Sequence, residues 1–190
     1  KESQLAIWIC LGTLCRIGEL LQTEWSHINF ESQEWFIPKA NVKGNYRTKK
    51  EHTIYLSMFV LEKFKELRNI TGKSKFCFPA KNKDGHILLN AVSKQIGDRQ
   101  FKFKNRKELK GRVNDNSLVI GTTEWTPHDM RRTGATIMQS LGVLPDIIDR
   151  CQNHILIGNK IRKHYQFYQY KEEMREAWKK LGSKISLILS

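Results

Sequence analysis

Residues 5–15 read LAIWICLGTLC, a run with no charged side chain and a single hydroxyl, that of Thr13. A helix that is apolar on every side has no face to give to water, so it must lie inside the molecule with other elements wrapped around it. The rest of the chain supplies the wrapping. After it, GELLQTEW sets Leu20 and Leu21 inward at helical period, which predicts a second, short helix. From Ser57 onward Met58, Val60, Leu61, Phe64 and Leu67 recur at helical steps, and Gly72 closes that helix. Between the two lie INF, EWFIP, ANVKG and HTIYLS, short β-type runs joined by the polar connectors ESQ and GNYRTKKE. They predict a small antiparallel sheet of about three strands in the N-terminal third.

Further on, KFCFPA is extended, a turn at Asp84 and Gly85 precedes another helix, and residues 102–124 read as a long basic loop with little periodicity. Loops of that length in compact domains are often functional or mobile. A helix runs from Pro127 through Leu141, a short one from Leu144 to about Arg150, and a terminal helix carries the tyrosines of HYQFYQYKEEM. The chain ends in an apolar tail, ISLILS, with no obvious partner within its own helix. The predicted class is α+β, mostly helical, with one domain spanning residues 1–190.

Thirty-three Lys and Arg against 19 Asp and Glu leave a formal charge of +14 on 190 residues, which points to a polyanionic partner, nucleic acid foremost. The four cysteines, Cys10, Cys15, Cys77 and Cys151, show neither C-x-x-C nor zinc-ligand spacing and are expected to be buried, reduced thiols. No stretch approaches the roughly 18 uninterrupted apolar residues of a membrane span. The opening KESQLAIW reads as helix rather than as a secretory leader. The expectation is a cytoplasmic, bacterial, nucleoid-associated protein of which this chain is a fragment.

His128 and Arg131 stand three residues apart in WTPHDMRRTGAT, with Arg16 upstream in CRIGEL, His154 downstream in CQNH, and Tyr165 eleven residues beyond that. These are the parts needed to attack a phosphodiester. Negative charge grows on the non-bridging oxygens as a nucleophile attacks, so donors aimed there must hold the transition state more strongly than the ground state. Guanidinium groups suit this: planar, always protonated, and able to make two parallel bonds to phosphate. Arg16 and Arg131 are assigned to that clamp, with Arg132 the rival to Arg131 and otherwise a surface or DNA-backbone contact. Glu19 is expected to orient Arg16. A phenol, with a pKa of about 10, is a better leaving group than an alkyl alcohol and keeps a covalent step reversible. Histidines beside phosphate can donate a hydrogen bond or take the phenol's proton.

In that order, the R-x-G-E of Arg16 to Glu19, the H-x-x-R of His128 to Arg131, the histidine of CQNH and a late tyrosine make the chain resemble the catalytic domain of a tyrosine recombinase, the phage and mobile-element integrase family. The likeness covers essentially all of the chain. It implies that Tyr165 is the nucleophile, since it follows the basic run KIRKH at the family's usual distance from His154, with Tyr168 next and Tyr170 as a second tyrosine often seen there. It implies a proton-donating lysine on the β-hairpin, which counting from Trp35 places at Lys43. The connector GNYRTKK is longer than is usual in the family, and Lys49, then Lys50, are the alternatives. Asn153 stands where a glycine commonly precedes the histidine. The family's amino-terminal DNA-clamping domain is absent from these residues.

The implied activity is site-specific cutting and rejoining of double-stranded DNA through a 3′-phosphotyrosine. It proceeds without metal or other cofactor, without a small-molecule substrate and away from membranes, in a homotetramer on paired sites. The catalytic set is Arg16, Lys43, His128, Arg131, His154 and Tyr165. Two-metal nucleases need clustered carboxylates, and the acidic residues here are dispersed. The alternatives are a DNA-binding relative without chemistry, a type IB topoisomerase, and an RNA binder. The last would need aromatic stacking platforms, for which the strands offer only Trp35, Phe36 and Tyr55.

Overall fold

The apolar run is the central helix, α1 (Glu2–Thr13), with Leu5, Ala6, Ile9 and Cys10 fully enclosed. The computed structural model describes residues 1–45, 47, 49–81, 84–108, 110–154 and 168–190. Around α1 lie α2 (Ile17–Leu21), a sheet of β1 (Ile28–Asn29), β2 (Glu34–Ile37) and β3 (His52–Tyr55), then α3 (Met58–Thr71), α4 (Ala91–Asp98), α5 (Pro127–Ser140), α6 (Pro145–Cys151) and α7 (Lys171–Leu189). Helices α3 and α5 pack closest on α1, and α7 touches α1, α3, α5, α6 and β3. The class is α+β, as expected.

The sheet is antiparallel in the order β1-β2-β3, with Trp35 paired to Ile54 and Ile37 to His52. Trp35, Ile37 and Ile54 face the core, where Trp35 meets the edge of Phe64 on α3. Of the three aromatic residues that an RNA-reading face would need, Trp35 and Tyr55 are buried and Phe36 alone is open to solvent.

Several expectations need correction. ANVKG is not a strand: Asn41 N–H bonds the Pro38 carbonyl and the chain turns through a 3-10 helix, Lys39–Asn41. The second helix stops at Leu21, and TEW leads into another 3-10 turn, Trp25–His27. Met58 starts α3 but points outward, since the apolar face begins at Phe59. The last helix does not carry Tyr168 or Tyr170. Tyr170 is its left-handed cap (φ 55), so the helical path begins only at Lys171. The tail ISLILS continues α7, with Ile185 in the core and Leu187, Ile188 and Leu189 exposed.

Residues 104–126 contain no helix or strand among those described, yet Arg106, Arg112 and Asp115 bond to Asp98 at the end of α4, Leu118 to Arg99 and Trp125 to Gln100. All four cysteines are free and buried, with the sulfurs of Cys10 and Cys15 3.7 Å apart, and burial pushes the thiols of Cys77 and Cys151 upward. Among the described residues no helix is long and apolar enough to cross a membrane.

The approach of α5 to α1 requires Gly134. A Cβ there would stand 2.6 Å from the Leu11 carbonyl oxygen and 3.0 Å from Leu14 Cδ1. The absence of that carbon lets α5 lie close enough for its Arg131, one turn earlier, to reach the end of α1.

Candidate active site

The site grows from an unmet need at the end of α1. The last carbonyls of a helix have no partner inside it. Leu14, in the left-handed conformation (φ 60), satisfies Cys10 O with its own N–H and ends the helix. The Thr13 carbonyl is taken by the indole N–H of Trp178 on α7 at 2.9 Å, and the Leu14 carbonyl by Arg131 Nη1 from α5. Arg131 Nη2 donates to the Gln152 carbonyl at the end of α6. One guanidinium, 3% exposed, thus closes the C-termini of two helices, where helix dipoles also favour a cation.

Two residues past Leu14, Arg16 caps the start of α2. Its backbone N–H and its Nη1 each donate to a Glu19 carboxylate oxygen, both at 3.0 Å. The Arg16 side chain remains 28% exposed while that of Glu19 is enclosed. Arg16 and Arg131 lie near enough to repel: burial first, then the Arg16 charge, brings the Arg131 pKa down to about 10, with Glu19 acting against the fall. Arg131 therefore stays charged at neutral pH. Two guanidiniums beside one buried carboxylate leave a surplus of one positive charge, and Arg16 is the part that solvent or a phosphate can reach.

The turn after α6 presents His154. Cys151 O accepts from His52 at 3.1 Å, Gln152 O from Arg131, and Asn153 Nδ2 donates to Lys50 O at 3.4 Å. Asn153 takes a positive φ of 50, the backbone freedom that a glycine would supply. His154 Nδ1 meets Asp149 Oδ1 at 2.9 Å, which orients the ring and leaves Nε2 to face outward. On α5, Asp129 accepts from the backbone and hydroxyl of Thr126, and these bonds hold its carboxyl below the usual range. With Pro127 at the first helical position, this cap fixes His128, exposed, one turn ahead of Arg131. Arg132 points away, 74% exposed, toward Asp129 at 3.4 Å.

The structure thus brings Arg16, Arg131 and the turn of His154 together, with His128 on the helix that carries Arg131. Lys43 sits exposed on the β2–β3 connector. Lys49 is folded back, its ammonium donating to Ala40 O at 3.1 Å and Val42 O at 2.9 Å. Tyr165 lies outside the described residues. Of its rivals, Tyr168 donates its hydroxyl to Glu173 at 3.2 Å, a bond that raises its pKa, and the ring of Tyr170 lies under the Arg150 guanidinium, 4.2 Å from its centroid.

Sequence reasoning missed His52. It lies half-buried beside Trp178, and desolvation pulls its pKa down to about 4, so it is a neutral ring whose Nε2–H serves Cys151 O. Its hydrogen-bond partner lies 99 residues on, which no local pattern records.

That burial has a sign. An imidazole harder to protonate when folded gives full stability above its unfolded pKa of about 6.5 and loses it as pH falls toward 4. Between pH 7 and about 4.5 the unmodified chain should lose roughly 2–3 kcal/mol more unfolding free energy than His52→Asn. Urea titrations at both pH values measure this, and equal losses in the two proteins would refute it.

The sequence model of the phage integrase family matches residues 1–172. The prophage integrase IntA of Escherichia coli K12 is 26% identical over 175 residues, which cover 90% of this chain and 35% of that protein, so the chain spans about a third of its relative. Among solved structures, the integrase from mycobacterium phage Brujita superposes with a TM-score of 0.61 at 15% identity, over 95% of this chain and 51% of that one. The Tn1549 transposon integrase in complex with circular intermediate DNA gives 0.58 at 19%, over 90% and 58%. The XerA recombinase gives 0.56 at 13%, over 97% and 62%. At such identities the structural likeness speaks for the fold, while the family match covers most of the sequence: the chain belongs to the phage integrase family, that of the tyrosine recombinases.

Proposed function

We propose that this chain is the strand-cutting part of a site-specific DNA recombinase. The observation that carries the reading is the meeting of Arg16, Arg131 and the His154 turn through the bonds of one buried guanidinium. A surplus positive charge, held in place before substrate arrives, is what a phosphoryl transition state rewards.

In this reading the Tyr165 phenolate oxygen attacks the scissile phosphorus. A phosphorus–oxygen bond to tyrosine forms, the bond to the 5′ oxygen breaks, and that oxygen leaves as a hydroxyl after taking a proton from Lys43. The phenol's own proton passes to His128 or to water. Arg16 and Arg131 bear the charge on the non-bridging oxygens, and His154 donates a further hydrogen bond. A 5′ hydroxyl of the partner strand then attacks the 3′-phosphotyrosine, which restores the phenol. The linkage conserves the energy of the broken bond, so no nucleotide cofactor enters, and the arginines take the charge-stabilising part that metal ions play elsewhere. Exchange between two duplexes calls for a tetramer on paired sites. The engagement of Tyr168 with Glu173 and of Tyr170 with Arg150 counts against those two as the nucleophile. Lys43 is favoured over Lys49 because the Lys49 ammonium already serves two carbonyls.

A nicked suicide substrate carrying the cognate site should trap a covalent protein–DNA adduct that survives denaturation. The adduct should vanish in Tyr165→Phe and persist in Tyr168→Phe and Tyr170→Phe; its loss in Tyr168→Phe alone would move the nucleophile. A 5′-thio leaving group departs without a proton, so it should restore cleavage to Lys43→Ala. Rescue of Lys49→Ala instead would reassign the proton donor.

A further inference from the structure

The segment between α4 and α5 is the most basic part of the chain: from Arg99 to Arg112 there are seven Lys and Arg and one Glu. Fixing such a segment against its own repulsion needs a counter-charge, and the fold supplies one. Asp98, the last residue of α4, is 5% exposed and receives Arg106 Nη2 at 2.5 Å on one oxygen and Arg112 on the other. Behind this clasp the backbone is laced to α4: Asp115 N–H bonds Asp98 O, Phe101 N–H bonds Asp115 O, and Leu118 N–H bonds Arg99 O. The side-chain amide of Gln100 makes two bonds to the backbone of Trp125, one given and one received. Lys104 pairs with Glu124, two residues before the cap of α5. The strap is therefore built as a shaped surface, and it is anchored beside the helix that bears His128 and Arg131.

Between Arg99 and Arg112 what it shows to solvent is positive on balance, with Glu108 the exposed acid among the lysines. Lys102, Lys107 and Lys110 are exposed, while the carboxylate of Asp98 that gathers the strap is hidden beneath. We propose that this strap is a second contact for the DNA backbone, gripping phosphates outside the scissile position, and that it sets binding strength without entering the chemistry. The proposal rests on the reading of the chain as a DNA-cutting recombinase. A cationic strap whose backbone is tied down and whose counter-charge is buried suits a stiff polyanion, because little backbone freedom remains to be lost on binding.

Each phosphate contact contributes about 0.9 to the slope of log affinity against log salt on duplex DNA. The protein with Lys102→Gln, Lys107→Gln and Lys110→Gln should therefore show a slope shallower by about 2–3 and an affinity at least about tenfold weaker at roughly 0.1 M salt, read by fluorescence anisotropy on a duplex. A control with Lys65→Gln, Lys73→Gln and Lys180→Gln should keep the slope, and at saturating protein the strap variant should give as much suicide-substrate adduct as the unmodified chain. An unchanged slope in the strap variant, an equal change in the control, or a loss of adduct at saturation would each overturn the proposal. If the unmodified protein binds duplex DNA but never forms an adduct, the recombinase reading fails, and the slope comparison still decides whether the strap touches DNA.

Discussion

Two helices end side by side in the interior of this protein, and one arginine finishes both. Arg131 gives its two terminal nitrogens to the carbonyls of Leu14 and Gln152, at the ends of α1 and α6. Buried carbonyls left without donors would cost roughly 1–3 kcal/mol each, and neither helix can satisfy its own. The fold therefore needs a cation with two parallel donors at this spot, and the proposed chemistry would use the same group. Arg16 follows Leu14 by two residues and His154 follows Gln152 by two, so the residues proposed for phosphate chemistry hang from the backbone that Arg131 fixes.

The supporting shell repeats the logic. Trp178 closes Thr13 O from α7, His52 closes Cys151 O from β3, and Glu19 holds Arg16 through both backbone and side chain. Each is enclosed or nearly so, and each spends its polar atom on the frame. The open groups are those proposed to meet substrate: part of Arg16, the rings of His128 and His154, and Lys43 on its connector. Burial divides the candidate site into an enclosed layer that positions and an open layer proposed to react, and Arg131 is proposed to serve in both.

Much of this was legible in the chain. The run LAIWICLGTLC announced a central helix because nothing in it tolerates water, and the order of Arg16, His128, Arg131, His154 and a late tyrosine announced the family. The choice of Arg131 over Arg132 followed from spacing, and the fold turns the first inward and the second outward. Long-range closure was not legible. His52 and Trp178 find their partners 99 and 165 residues away, and local periodicity has no record of such bonds. Neither did KEEM, a run of good helix formers, reveal that Tyr170 before it takes a left-handed conformation beneath Arg150. The stretch from 102 to 124 read as formless because its order comes from Asp98, Gln100 and Asn116 bonding to backbone and arginines, which leaves no repeat in the sequence.

If Arg131 is the joint of the frame as well as a phosphate donor, charge alone cannot replace it. A lysine keeps the charge but cannot span two carbonyls with a planar pair of donors. The unfolding free energy of Arg131→Lys in urea, without DNA present, tests this most directly. The account predicts a loss of about 2–4 kcal/mol, the order expected when a buried charge network loses one member's bonds. A variant that unfolds within about 0.5 kcal/mol of the unmodified chain, the scale of an ordinary surface substitution, would contradict it.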